Sequence, residues 1–218
     1  MNFTTNGTAK INKGEIMEIR QLNINDTQQF CDLIVDMYSH IDNLEWFTPM
    51  PYDYENVKGM IEHPRFYIVG LFVNNKLVGV SSLDYKCGKL IGKIDFPTNF
   101  DENKMVEIGF NLVHSSFKGN KAMQLLIEFV LMKARIQGLN HVFSKVHIDN
   151  IASNKSFFNK GFEKFSNYTK EVDKKDFEQL SNTSFFSETA KPKAIETLNN
   201  FKDKTSIIVN YNILTKVI

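Results

Sequence analysis

Apolar positions Phe30, Leu33, Ile34, Met37, Tyr38 and Ile41 recur at the spacing of one helical face. Asn25 or Asp26 stands ahead of them as a cap, so a helix starts near residue 26. Before it, residues 17–22 alternate as a first strand, while residues 1–16 are polar and aperiodic. They read as a loose, flexible leader, with Met17 as a second candidate start. An aromatic loop with prolines (Trp46, Phe47, Pro49, Pro51, Tyr52, Tyr54) leads into a short helix over residues 53–62 that buries Val57, Met60 and Ile61. Residues 66–73 and 77–85 are apolar and β-rich, and Asn74-Asn75-Lys76 between them signals a hairpin. Residues 86–103 read as a loop broken by Gly88, Gly92 and Pro97.

A strand over residues 105–114 then feeds a Gly-containing turn and a long helix carrying Ala122, Leu125, Leu126, Phe129 and Val130 on one side. Gly138 ends that helix, and residues 141–148 return as a strand. Strand, helix and strand at this spacing predict a parallel βαβ unit. Asn150 caps a short helix that Gly161 terminates, residues 162–172 resume a strand, and Ile207, Val209, Tyr211 and Ile213 alternate in a last one. Residues 173–203 are polar with two helices, the second starting at Pro192 and burying Ile195, Leu198 and Phe201. The whole is an α/β chain: a leader over 1–16, then one domain over 17–218 with a helical insertion at about 173–203.

Composition removes function classes rather than adding them. Lys and Arg number 26 against 25 Asp and Glu, so no charge excess marks a nucleic-acid footprint or an anionic membrane surface. No apolar run reaches the ~18 residues of a membrane span, and the polar N-terminus lacks the apolar stretch of a signal peptide, which points to the cytoplasm. Cys31 and Cys87 have neither CxxC spacing nor a nearby His cluster, and read as inert thiols. No His and carboxylates share ligand spacing, so no metal is expected.

Chemistry concentrates where the strand ending at Val113 runs through His-Ser-Ser-Phe-Lys118-Gly119-Asn120-Lys121-Ala122-Met123 into a helix. Free backbone N–H groups at a helix N-terminus attract a phosphate-like anion, and Lys118 and Lys121 add charge. Downstream, Asn150, Ser153, Phe157, Gly161 and Phe162 stand in the order capping Asn, small residue, aromatic, Gly-Phe. This segment resembles the second acetyl-CoA motif of the GNAT N-acetyltransferase superfamily, and the first resembles its pyrophosphate loop, with Val113 where the strand bulges. The resemblance spans residues 17–172 and implies a mixed, mostly antiparallel sheet flanked by helices. It implies acetyl-CoA as acyl donor, held by Leu112, Val113, Lys118, Gly119, Asn120, Lys121, Ala122, Met123, Asn150, Ser153 and Phe157. Two departures stand out. Lys121 and Met123 occupy places usually held by small residues, and Phe157 replaces the frequent Tyr that donates a proton to the departing thiolate.

Acyl transfer to an amine needs the ammonium, with a pKa of about 10, to lose a proton. Glu107 is the candidate base, at a spacing similar to that of the glutamate in the histone-acetyltransferase branch. It precedes Val113 by six residues, an even step that places both on one strand face. The competing reading is a structural ion pair. Val113 would offer its N–H to the acyl carbonyl. His114 is expected to face away from the site, and His147 to be structural although it could face the cleft. His40 and His63 are expected to cap helix ends. Trp46, Phe47, Tyr52 and Tyr54 fall where the family places acceptor-binding loops, which suits an apolar or aromatic amine. The acceptor, small molecule or peptide, stays open, as does a homodimer contact through residues 173–203. The alternative function is an acyl-CoA-binding module without catalysis.

Overall fold

The computed structural model describes residues 7–11, 15–47, 50–85, 101–181 and 204–218, with positions 192, 195, 196 and 199. In chain order the elements are β1 (Gly7–Ile11), β2 (Glu15–Gln21), α1 (Thr27–His40), α2 (Tyr54–Glu62), β3 (Phe66–Val73), β4 (Lys76–Asp84), β5 (Met105–Val113), α3 (Ala122–Ile136), β6 (His141–His147), α4 (Ile151–Phe158), β7 (Glu163–Asp173), α5 (Lys174–Ser181) and β8 (Ser206–Val217). One sheet takes the order β1-β2-β3-β4-β5-β6-β8-β7. Every neighbouring pair is antiparallel except β5–β6, which α3 connects. The expected mixed, mostly antiparallel sheet is therefore present.

Local chemistry accounts for most boundaries. Asn74 and Asn75 both hold positive φ (49° and 65°), the conformation of a two-residue hairpin turn, which leaves Lys76 inside β4 rather than in the loop. Asp26 stands at the N-cap position of α1, one of the two expected, but makes no side-chain cap bond there; the side-chain cap is made by Asn23 on the 3-10 turn over Ile24–Asp26 that leads directly into α1. Asp53 caps α2 by accepting from Asn56 N–H.

The sheet is buried on both faces. Phe30, Ile34, Val57, Phe72, Val80 and Leu112 form the core beneath α1 and α2. On the other face α3 buries Leu126, Ile127, Phe129, Val130 and Leu131 against Val106, Ile108 and Val142. Each of those side chains contributes roughly 1.5–3 kcal/mol.

Two expectations change. Gly7–Ile11, inside the supposedly loose leader, pairs with β2 as an edge strand, because the outer edge of β2 otherwise leaves its backbone N–H and C=O groups unpaired. The helix begun at Pro192 presents Ile195 to solvent, 56% exposed, instead of burying it. Leu198, Phe201, most of the 86–103 loop and Cys87 lie outside the described residues. Among the described residues no helix is long and apolar enough to cross a membrane.

Candidate active site

The site begins where the sheet comes apart. β5 and β6 pair only over Met105–Glu107 against His141–Phe143. Beyond that, the Ser144 hydroxyl donates to the Ile108 carbonyl at 2.9 Å, and among the described residues the rest of the β5 edge facing β6 has no strand partner. On the other side of β5, His114 N–H donates to Val78 O at 2.9 Å. Antiparallel ladders alternate bonded and non-bonded pairs, so the next pair, Val113–Gly79, is non-bonded. The Val113 N–H therefore turns away from β4 and toward the open gap.

A bulge precedes this point. Between Val80–Leu112 and Ser82–Gly109 two steps on β4 oppose three on β5, and Phe110 takes φ 47°. The bulge is thus at Phe110–Asn111, not at Val113 as expected. It also overturns the even-spacing argument. Glu107 pairs with Asp84 and Val113 with Gly79, five positions apart on β4, so the two residues lie on opposite sheet faces. Val113 faces α3, and Glu107 faces the α1–α2 side.

After β5, His114 caps a 3-10 turn over Ser115–Phe117. Asp36 on α1 tethers that turn, accepting from Ser115 N–H at 2.6 Å and from the Ser115 hydroxyl at 2.8 Å. Gly119 (φ 83°) and Lys121 (φ 60°) then swing the chain into α3. Gly119 takes this left-handed conformation without strain, whereas a lysine there costs ~1–2 kcal/mol. Lys121 forms no side-chain cap, so the first N–H groups of α3 remain available to an anion. α4 differs: the Asn150 side chain accepts from Ser153 N–H at 3.1 Å.

A cavity of about 470 Å³ joins these parts, running from the α3 and α4 N-termini to α1 and the loop after it. Leu112, Val113, Lys118, Gly119, Lys121, Ala122, Met123, Asn150 and Ser153 line it, as do Trp46 and Phe47. Asn120, Phe157 and Glu107 do not. Phe157 is wholly buried and packs edge-on against Phe162, centroids 5.0 Å apart. The Lys118 ammonium donates to His40 O at 2.8 Å, so its charge is engaged with the end of α1. Tyr52 packs on the α1–α2 core and Tyr54 is 44% exposed; neither lines the cavity. Met37, Ile41, Asp42 and Asn111 line it without having been singled out. Asn111 alone offered a sequence signal, as a polar residue inside an apolar strand.

Glu107 is held by Lys145 on β6, Nζ to Oε1 3.1 Å. Burial pushes its carboxyl above the ordinary range; Lys145 opposes this, Asp84 adds to it, and the net shift is upward. Nearby, Arg65 Nε donates to Asp84 at 2.6 Å. His147 is buried, its Nδ1 accepts from Asp149 N–H at 3.1 Å, and its ring meets Tyr211 edge-on. Burial lowers its pKa. His114 stands 3.6 Å from Asp36, outside the cavity lining. His40 and His63 close α1 and α2.

An open strand edge flanked by two helix N-termini, one of them uncapped, suits a long chain that ends in phosphates. The chain belongs to the acetyltransferase (GNAT) family, whose description matches residues 27–162. No curated protein matches it in sequence. Solved structures share the fold: ribosomal-protein-alanine N-acetyltransferase from Brucella melitensis at 14% identity and TM-score 0.60, over 92% of this chain and 99% of that one. A putative acetyltransferase from Salmonella typhimurium with acetyl-CoA aligns at 14% and 0.60, over 92% and 93%. The PaiA N-acetyltransferase of Thermoplasma acidophilum in complex with coenzyme A aligns at 14% and 0.56, over 93% and 99%.

Proposed function

We propose that the protein transfers an acetyl group from acetyl-CoA directly to a primary amine. The observation carrying this reading is the Val113 N–H turned into the gap between β5 and β6, at the end of a cavity that begins at the uncapped α3 N-terminus. The N–H groups of Gly119 and of residues 121–124, together with the Lys121 charge, hold the pyrophosphate, while the Asn120 N–H is already spent on the Phe117 carbonyl; Asn150 and Ser153 flank the arm. Phe157 serves as packing behind them. Acetyl-CoA supplies the acyl group as a thioester, and Val113 N–H stabilises charge on its carbonyl oxygen. The amine enters from the α1–α2 face, past Met37, Ile41, Trp46 and Phe47, walls that suit an apolar body. Glu107 faces that same side and takes up the amine's proton through water, its raised pKa suiting a base. The thiol is acidic enough to leave as thiolate without a dedicated acid.

A binding module without catalysis is the second reading, favoured by the Glu107–Lys145 ion pair and by Lys121 in the turn. Titration with acetyl-CoA and free CoA, followed by turnover on an amine panel, separates the two. The panel includes peptide α-amines, since ribosomal-protein-alanine acetyltransferases are among the similar folds. Micromolar binding with turnover supports the enzyme. Binding without turnover on any amine favours the module, and no binding by folded protein removes both.

A further inference from the structure

The bulge in β5 gives one side chain an unusual placement. Leu112 and Phe110 pack on the α1–α2 core, and Val113 on the α3 side. Asn111 lies between them and joins Val113 on the α3 face, where it bonds Ser81 of β4, 2.8 Å from Ser81 Oγ to Asn111 Oδ1. Ser81 is completely buried, and among the described residues this is the one hydrogen bond its hydroxyl makes. A buried hydroxyl hydrogen needs an acceptor, and an amide NH₂ cannot accept, so Ser81 fixes the amide with its oxygen inward. The Nδ2 group then points the other way. It has no partner among the described residues, and Asn111 lines the cavity beside Leu112 and Val113. Two N–H donors are thus aimed into the space along the open β5 edge, two residues further from the α3 N-terminus than Val113.

We infer that Asn111 is a positioning residue whose Nδ2 donates to a carbonyl oxygen of the acyl-pantetheine arm, with Ser81 holding the amide in register. This rests on the acetyl-CoA reading above. The phosphates belong at the α3 N-terminus, so the portion passing Asn111 is the arm, whose acceptors are its amide carbonyls and the thioester carbonyl. A neutral, pre-oriented donor recognises such an oxygen without the desolvation cost of a charge.

The test is calorimetric titration of wild type, N111D and the double variant S81A/N111A with acetyl-CoA and with CoA, alongside thermal melts. N111D keeps an oxygen for Ser81 and replaces the donor with an oxygen that repels a carbonyl. The double variant removes the donor without orphaning the Ser81 hydroxyl. Both are expected to bind acetyl-CoA about tenfold or more weakly than wild type. An equal loss for CoA assigns the bond to an arm amide; a loss for acetyl-CoA alone assigns it to the thioester. Either folded variant binding acetyl-CoA within about twofold of wild type overturns the inference while leaving the proposed function standing. Wild type that is folded and fails to bind acetyl-CoA overturns both.

Discussion

Replacing Asp36 tests whether α1 holds the turn that leads into α3. The Asp36 side chain is 13% exposed and accepts two bonds from Ser115, one from its N–H and one from its hydroxyl. Bonds to a charged group are worth ~1.5–3 kcal/mol each, and partial exposure argues for the low end, so D36A should cost about 3 kcal/mol. For a chain of this size that is a fall of roughly 6–12 °C in Tm. D36N keeps the shape: its carbonyl still accepts from Ser115 N–H, and its amide can donate to the hydroxyl. Only the charge assistance is lost, about 1 kcal/mol and roughly 2–4 °C. Residues 115–121 lose their tether in D36A, so acetyl-CoA affinity should fall along with Tm, and less so in D36N. Thermal melts and calorimetric titration read both quantities on the same samples. A D36A melt within ~2 °C of wild type, or acetyl-CoA binding unchanged in the melted-down variant, refutes the argument that this tether shapes the loop.

Three further outcomes are expected. E107Q should lower turnover by about 10²–10³-fold while leaving acetyl-CoA affinity intact, and the wild-type rate should climb with pH through the upward-shifted Glu107 carboxyl; full turnover in E107Q removes Glu107 as the base. Burial pushes the Asp26 pKa up, but hydrogen bonds from Arg20 (2.7 Å each) and Asn23 N–H and the Arg20 charge outweigh it, leaving it below the ordinary value. Its contribution to stability is therefore present above about pH 4 and lost as pH falls through the depressed folded pKa, so wild type should lose more stability than D26N between about pH 5 and about pH 2, and parallel denaturation curves would contradict this. Burial pushes the Cys31 thiol up to about 11, so a thiol reagent at about pH 8 should leave Cys31 unlabelled until the protein is denatured, as peptide mass spectrometry would record; rapid labelling of the folded protein contradicts it.

Much of the architecture was legible because local signals were strong. The stripe from Phe30 to Tyr38 is the buried face of α1, and Leu126, Phe129 and Val130 face the sheet from α3. Asn74-Asn75 closes the hairpin, and Asn150 caps α4 in the register its motif implied. The strand–helix–strand spacing around α3 did produce the parallel β5–β6 pair. All but the last of these features depend on neighbours within a few residues, where periodicity and capping speak directly; the parallel pair follows from the handed crossover that a strand–helix–strand order imposes.

The sequence by itself thus determined most of the elements, the family and the two segments that meet at the cavity. Tertiary structure decided which way their side chains point. Strand alternation placed Glu107 and Val113 on one face, yet the bulge falls at Phe110–Asn111, between them, rather than at Val113; it shifts the phase by one residue and separates them across the sheet. Lys118 looked like a phosphate ligand, and only the approach of α1 brings the His40 carbonyl within its reach. Gly7–Ile11 became a strand because the edge of β2 was there to pair with, and Asn111 gained its orientation from Ser81, thirty residues away in the chain. A hydrogen bond between distant strands has no period and no local composition to reveal it; it exists only once the sheet has set the register.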